Sequence, residues 1–370
     1  MVAFAPSLAA MTTAVRWGIA GTGAIASLFA EGLADAPGAQ LVAVASRSPG
    51  RADAFAARAG AKRAHGSYDA LASDPEVDIV YVATPNSDHC ARALMMLESG
   101  KAVLCEKPFA LDAEEARKVI ALAERRRIFC MEAMWMRFMP AVRELASRVR
   151  EGALGDARAA TIELGHPIAF DPAHRVFDPA LGGGALLDLG VYAVSLAHLL
   201  FGRPTGVKSQ VTFAPSGVDD HVTALLAHAD GRQSTIGASL RTRLTNGASV
   251  AGTTGWARLH EPLYRPDAIT IMAAHPATPG RSGGGSSGVV AMARRSAVLR
   301  TAVSELRSLV PPSLRVRGRT IRRRYRGNGY CHEAIEAMRC LRAGETESPS
   351  MPLSETLQVM ETLDAIRRGW

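Results

Sequence analysis

The stretch Val15-Arg16-Trp17-Gly18-Ile19-Ala20-Gly21-Thr22-Gly23-Ala24-Ile25-Ala26 decides how the chain begins to fold. Its first six residues read as a short buried strand, and the helical stretch Ser27 to Asp35 follows it. Between them stands G-x-G-x-x-A. A glycine-rich turn alone is a weak signal, but between a strand and a helix it has the context a dinucleotide site requires. Gly21 makes the tight turn, Gly23 lets the backbone approach a pyrophosphate, and Ala26 lets the helix pack close to the strand. The helix start at Ala24 and Ile25 then offers unpaired N–H groups and a positive dipole end to phosphate.

Working outward, Gln40 to Ala45 is a second strand, and it ends in Ser46-Arg47. An NAD-selective site commonly has an acid here, about 20 residues past the glycines, to hold the ribose 2′-hydroxyl. A hydroxyl and a guanidinium suit a 2′-phosphate instead, with Arg51 as a second charge. NADP is therefore expected in preference to NAD. Two further βα units follow: Val77 to Ala83 opens into Thr84-Pro85-Asn86-Ser87-Asp88-His89, and Ala102 to Cys105 opens into Glu106-Lys107-Pro108. Both loops lie at the C-terminal ends of strands, where open parallel sheets bind ligands. Thr84, Asn86, His89, Glu106 and Lys107 join the glycines as expected cofactor contacts. Strands alternating with helices such as Asp112–Arg127 make residues 13–135 a doubly wound Rossmann domain.

The remaining length fits one more domain: 370 residues are too many for a single ordinary core. The expected division is a disordered or misassigned start at 1–12, the Rossmann domain, an α/β substrate and dimerisation domain over 136–350, and a C-terminal helix over 351–370 that returns to the first domain. No apolar run stands out as the roughly 20 residues of a membrane span, and Met1 to Ala10 lack the positive region of a secretory signal. Five scattered cysteines read as reduced thiols of a cytoplasmic protein. No H-x-x-H, C-x-x-C or carboxylate cluster suggests a metal.

The net charge of +8 is local: residues 281–326 hold twelve arginines against one glutamate, more than the whole excess. No nucleic-acid module accompanies it, so no nucleic-acid partner is expected. Within 276–326, Met292, Leu299, Val303, Leu306 and Val310 form one stripe of a helix, with arginines off the stripe. Such a helix could lie on an anionic membrane surface. Packing on its own domain with a solvated arginine face is the preferred reading.

Together with Gly18-Ile19-Ala20-Gly21-Thr22-Gly23, Thr84-Pro85-Asn86 and Glu106-Lys107-Pro108, three later stretches carry a resemblance to a known family. They are Glu132-Ala133-Met134-Trp135-Met136-Arg137-Phe138, Gly182-Gly183-Gly184-Ala185-Leu186-Leu187-Asp188-Leu189-Gly190-Val191-Tyr192, and Gly329-Tyr330-Cys331-His332-Glu333-Ala334. The sequence resembles the Gfo/Idh/MocA oxidoreductases, in the branch with dimeric trans-dihydrodiol dehydrogenase and NADP-dependent D-xylose 1-dehydrogenase. The resemblance implies an open, mostly antiparallel sheet in the second domain, one face packed by helices and the other used for homodimerisation. It places Lys107 beside the nicotinamide. It places Trp135, Arg137, His174, Arg175, Trp256 and Tyr264 around a cleft for a sugar or cyclic diol.

Many members have histidine four residues after the aspartate; here Tyr192 follows Asp188, which argues for tyrosine as the proton-transfer group. Oxidising an alcohol needs a group that takes the hydroxyl proton. A phenol, with a pKa normally about 10, does this if the Lys107 ammonium lowers that value. Asp188 and Tyr192, four apart on what reads as a helix, share a face, and a carboxylate in so apolar a segment needs a partner. His332 and Glu333 are ambiguous between site and structure. The reading is an NADP-linked dehydrogenase of CH–OH groups. Two alternatives are a cofactor-binding sensor without turnover, disfavoured by the intact Lys107, Asp188 and Tyr192, and an NAD-assisted glycosidase, disfavoured by tyrosine in place of histidine.

Overall fold

The computed structural model describes residues 14–273 and 318–370; the expected leading segment and most of the 276–326 insert lie outside the described residues. The first sheet has six strands: β1 (Val15–Ala20), β2 (Ala39–Ala45), β3 (Arg63–His65), β4 (Ile79–Val82), β5 (Ala102–Glu106) and β6 (Cys130–Ala133). All pair in parallel, in the order β3-β2-β1-β4-β5-β6. The helices between them are α1 (Ala24–Ala34), α2 (Pro49–Ala59), α3 (Tyr68–Ala72), α4 (His89–Glu98) and α5 (Ala113–Arg126). Every residue of β4 and β5 is buried, as parallel strands covered on both faces must be. The strand order reverses between β1 and β4, which opens a crevice beyond their C-terminal ends.

The local signals are strong. Asp112 accepts the Glu115 N–H at 2.8 Å, and the Glu115 carboxylate accepts the Leu111 N–H at 3.0 Å, so the start of α5 is capped from both sides. Acids in its first turn and arginines in its last complement the helix dipole.

The second sheet has eight strands: β7 (Ala157–Gly165), β8 (Gly206–Phe213), β9 (Asp219–Ala227), β10 (Gln233–Ser239), β11 (Ala248–Gly252), β12 (Gly255–Leu259), β13 (Ala268–Ala273) and β14 (Gly318–Arg322). Their order is β14-β13-β12-β11-β7-β10-β9-β8, antiparallel except for the β7–β10 pair. β14 falls inside the arginine-rich segment 281–326. Helices α6 (Pro140–Arg150) and α7 (Val191–Phe201) pack on one face. The register lines up Leu225, Thr235, Thr161, Ser249 and Arg258 across the other face, with Trp256 and Ala251 one step along it.

Two last helices, α8 (Cys331–Ala343) and α9 (Leu353–Arg367), run back across the molecule. α8 packs on α1, and α9 lies against α5, α7 and β8. Arg367 donates to the Leu111 carbonyl (2.8 Å), Asp364 accepts the Ala113 N–H (2.9 Å), and Ser209 donates to the Ile366 carbonyl (2.7 Å). α9 therefore bonds to the start of α5 in the first domain and to β8 in the second.

Pro179–Phe201 is, against the sequence reading, long and apolar enough to span a membrane, but 89% of its most apolar window is buried inside the protein. It is the core helix of the second domain. The five cysteines are all buried and unpaired by disulfides.

Candidate active site

The crevice beyond β1 and β4 is built by glycine. Gly21 has φ +118°, and a Cβ there would stand 2.4 Å from the Ala83 carbonyl oxygen. Only glycine lets the end of β1 lie this close to the end of β4. A Cβ on Gly23 would meet nothing within 4 Å, and α1 begins there without a side-chain cap. Its first N–H groups thus face open space, as an anion site needs. On the β4 side the Thr84 hydroxyl is buried without a hydrogen-bond partner among the described residues. At the end of β2, Ser46 is buried and accepts the Ser48 N–H (3.2 Å), while Arg47 and Arg51 are exposed beside it. An orphaned hydroxyl, an uncapped helix and two exposed guanidiniums fit the phosphates of a dinucleotide.

His89 has a different position from the one expected. It is buried, and its ring nitrogens lie 2.7 Å from the Pro108 carbonyl and 2.9 Å from the Thr84 carbonyl. Burial pushes its pKa down. The ring sits between the β4 loop and the β5 loop, and in its neutral form it donates its one N–H to one of the two carbonyls. Asn86 donates to the Gly182 carbonyl at 3.0 Å, joining the same β4 loop to the triple-glycine turn of the second domain.

Lys107 follows β5 and crosses to that turn. Its ammonium donates to the Asp188 carboxylate (Oδ1, 3.2 Å) and to the Asp188 main-chain carbonyl (2.9 Å). Arg175 reaches the same carboxylate, at 3.1 Å to Oδ1 and 3.5 Å to Oδ2. Burial pushes the Asp188 carboxyl up, but the two cations outweigh it and hold the group at about 2. The Lys107 pKa is raised: burial lowers it, and Asp188, Tyr192 and Glu106 together more than compensate.

Asp188 lies in a π-helical turn, Leu186–Gly190, in which the Val191 N–H bonds to the Leu186 carbonyl; α7 continues from it. The sequence suggested an unbroken helix; a π turn is rare, and frequently stands at a functional site. Tyr192 opens α7 with its ring 4.9 Å from the Lys107 ammonium. Its hydroxyl accepts the Trp135 indole N–H at 2.9 Å. Indole can only donate, so the phenol's own proton is not taken up by that bond. The expected lowering of the phenol does not occur in this structure: burial pushes it up to about 12, and Lys107 offsets only part of that.

The aromatic wall is larger than the sequence showed. Trp135 stacks on Tyr330 (centroids 4.2 Å apart, planes 9°), and Tyr264 lies 5.8 Å from Trp135 and 6.0 Å from Tyr192. In the sequence Tyr330 stands out only within Gly329–Ala334; its spacing of three from Glu333 puts both on one face of a helix. Glu333 is fully buried, with both carboxylate oxygens unpartnered among the described residues. Burial, with Glu106 beside it, pushes its pKa well above the carboxylate range. Glu106 is buried too, accepting from the Tyr81 hydroxyl and the Lys107 N–H.

Other expected substrate contacts lie elsewhere. Arg137 is buried and donates to Ser195 Oγ (2.7 Å), the Ser195 carbonyl (2.8 Å) and Glu355 (2.8 Å), so its guanidinium fastens α7 to α9. Trp256 is 38% exposed on the outer face of the second sheet, because β12 turns Gly255, Ala257 and Leu259 inward. His174 is exposed on the loop that carries Arg175. Among the described residues no group of histidine, cysteine and acidic side chains could hold a metal ion.

Comparison with known proteins agrees with this architecture. Residues 15–134 match the model of the oxidoreductase family with an NAD-binding Rossmann fold, GFO_IDH_MocA, and residues 142–258 match the GFO/IDH/MocA C-terminal domain. The trans-1,2-dihydrobenzene-1,2-diol dehydrogenases of Homo sapiens and Bos taurus are 35% and 34% identical, each over 96% of this chain and 97% of theirs. Among solved structures, a 3-ketoreductase from Actinomadura kijaniata in complex with NADP and TDP-benzene superposes with a TM-score of 0.78 at 22% identity, covering 96% of this chain and 98% of that one. Levoglucosan dehydrogenase in complex with NADH and levoglucosan gives 0.79 at 21% identity, covering 96% and 97%. These two share the fold. The chain belongs to the Gfo/Idh/MocA family and is an NAD(P)-binding oxidoreductase acting on CH–OH groups.

Proposed function

We propose that this protein is an NADP-dependent dehydrogenase of a cyclic vicinal diol or a sugar, with Tyr192 as the proton-transfer residue and Lys107 and Asp188 in support. The carrying observation is Tyr192 itself: its hydroxyl is held by the Trp135 indole, and its ring lies beneath the Lys107 ammonium, which Asp188 fixes twice. When bound, the nicotinamide takes or gives the electron pair with its hydrogen. The chain's residues handle the proton. Tyr192 accepts it from the hydroxyl being oxidised, and Lys107 stabilises the negative charge that the phenol or the substrate oxygen carries during transfer. Asp188 keeps the ammonium in place, and Trp135, Tyr264 and Tyr330 form an apolar wall against which a ring can lie. The dihydrodiol dehydrogenase relatives support a cyclic diol, and Ser46, Arg47 and Arg51 support NADP.

Gly21, Gly23, Ala24 and Ile25 would cradle the pyrophosphate, with Thr84 and Asn86 beside the nicotinamide arm. The outer face of the second sheet, bearing Leu225 and Trp256, would pair with its copy in a homodimer. The test follows NADPH formation over a panel of cyclic diols, pentoses and hexoses. At least one substrate should turn over, and Tyr192→Phe should lower kcat by about 10²–10⁴ with NADPH binding retained. Absence of turnover on the whole panel, or faster turnover with NAD, would overturn the respective part of the reading.

A further inference from the structure

Asp219 opens β9, far in sequence from every residue of the site. It is 7% exposed, and its Oδ2 accepts the Leu186 N–H at 2.6 Å. Leu186 is the first residue of the π turn that carries Asp188. The approach is made over Gly184, whose φ is +120° and where a Cβ would stand 2.2 Å from Asp219 Oδ1. The third glycine of the triplet is thus what lets a buried carboxylate reach the start of the turn.

We infer that Asp219 is a positioning residue for the reaction: by holding the Leu186 N–H it fixes the register of the π turn, and with it the arrangement of Lys107, Asp188 and Tyr192. The inference rests on the reading of those three residues given above. A π turn makes wider rings than an α-helix and is a rare geometry, found mostly as single turns inside α-helices. Relaxing it to α geometry would move the residues on one side of it by one position, a rotation of about 100°. Lys107 reads both the side chain and the main-chain carbonyl of Asp188, so such a rotation would displace both acceptors together. The same anchor reaches Arg175: the Gly184 N–H bonds to the Val176 carbonyl (2.9 Å), and the Gly183 N–H bonds to the Asp178 carbonyl (3.0 Å). These bonds tie the turn to the loop bearing Arg175. Burial pushes the Asp219 carboxyl up, opposed by the Leu186 N–H. A cost of this kind, taken on for one main-chain bond, fits a demand for position.

The experiment compares wild type with Asp219→Ala, Asp219→Asn and Gly184→Ala, all measured as holoenzyme. Asp219→Ala and Gly184→Ala should lose about 10- to 100-fold in kcat per NADPH-binding site, as small misplacements of reacting groups do. NADPH affinity by fluorescence titration should stay within about twofold, since the cofactor crevice is elsewhere. The pH profile of both should shift, because Asp188 no longer holds Lys107. Asp219→Asn keeps an acceptor oxygen and should restore kcat to within about threefold of wild type. Asp219→Ala with wild-type kcat and pH profile but a lower Tm would reduce Asp219 to a structural role and overturn the inference. So would failure of both Asp219→Ala and Gly184→Ala to fold. An inactive wild type would remove the underlying reading instead; an active wild type with a fully active Asp219→Ala removes this inference alone.

Discussion

At the scale of single residues, the site's charges are settled by burial as much as by neighbours. Asp188 at about 2 and Lys107 above its ordinary value stay ionised at neutral pH, while Tyr192 at about 12 stays a neutral phenol. This fixes the sign of the pH dependence. Alcohol oxidation needs the phenol deprotonated, so log(kcat/KM) should rise with pH across the neutral and alkaline range with a slope near one. Carbonyl reduction uses the phenol as an acid and should stay level until it ionises. Initial rates in both directions between pH 6 and 10 check this; an oxidation rate that levels off near pH 7 would contradict it. Lys107 and Asp188 were legible in the sequence because each stands in a compact local motif. The protonation of Tyr192 was not, since the desolvation that dominates it depends on what packs around the ring. Arg137 was misplaced for a related reason: its partners Ser195 and Glu355 are 58 and 218 residues away.

Among the elements, those with strong local signals were read closely. β1, β2 and α5 fall within a few residues of their expected bounds because alternation of buried runs with capped amphipathic helices leaves few choices. The cap of α5 can be checked directly. Asp112→Ala removes the acceptor for the Glu115 N–H and should cost about 1 kcal/mol, a fall in Tm of roughly 2–4 °C by calorimetry, with kcat unchanged. The π turn was not legible. Residues 185–201 are apolar on nearly every side, so no hydrophobic stripe exists in which a one-residue shift of register would show. Trp256 was misread at this scale too. The burial alternation of β12 sends it outward, but with Trp256 and Arg258 the strand's composition does not reveal which face is covered.

For the whole molecule, the α/β class and the two-sheet architecture followed from the order of strands and helices and from the family resemblance, and the structure agrees. The outer face of the eight-stranded sheet carries Thr161, Leu225, Thr235 and Trp256 and is free of helices in the described residues. If it is the dimer face, Trp256→Glu should convert a dimer to a monomer in light scattering and leave the Tm of the monomer unit within a few degrees. A monomeric wild type would dispose of that expectation. The return of the chain has a consequence for synthesis. β6 takes a main-chain bond from Cys130 N to the Thr346 carbonyl, and α5 is covered by α9, so the nucleotide-binding half is completed by residues more than 200 positions downstream. On a ribosome that half emerges first but stays open along one flank until the last helix is out. The nascent chain therefore spends most of translation with an apolar surface waiting for its own tail, and its yield should depend on how well that interval is guarded against aggregation.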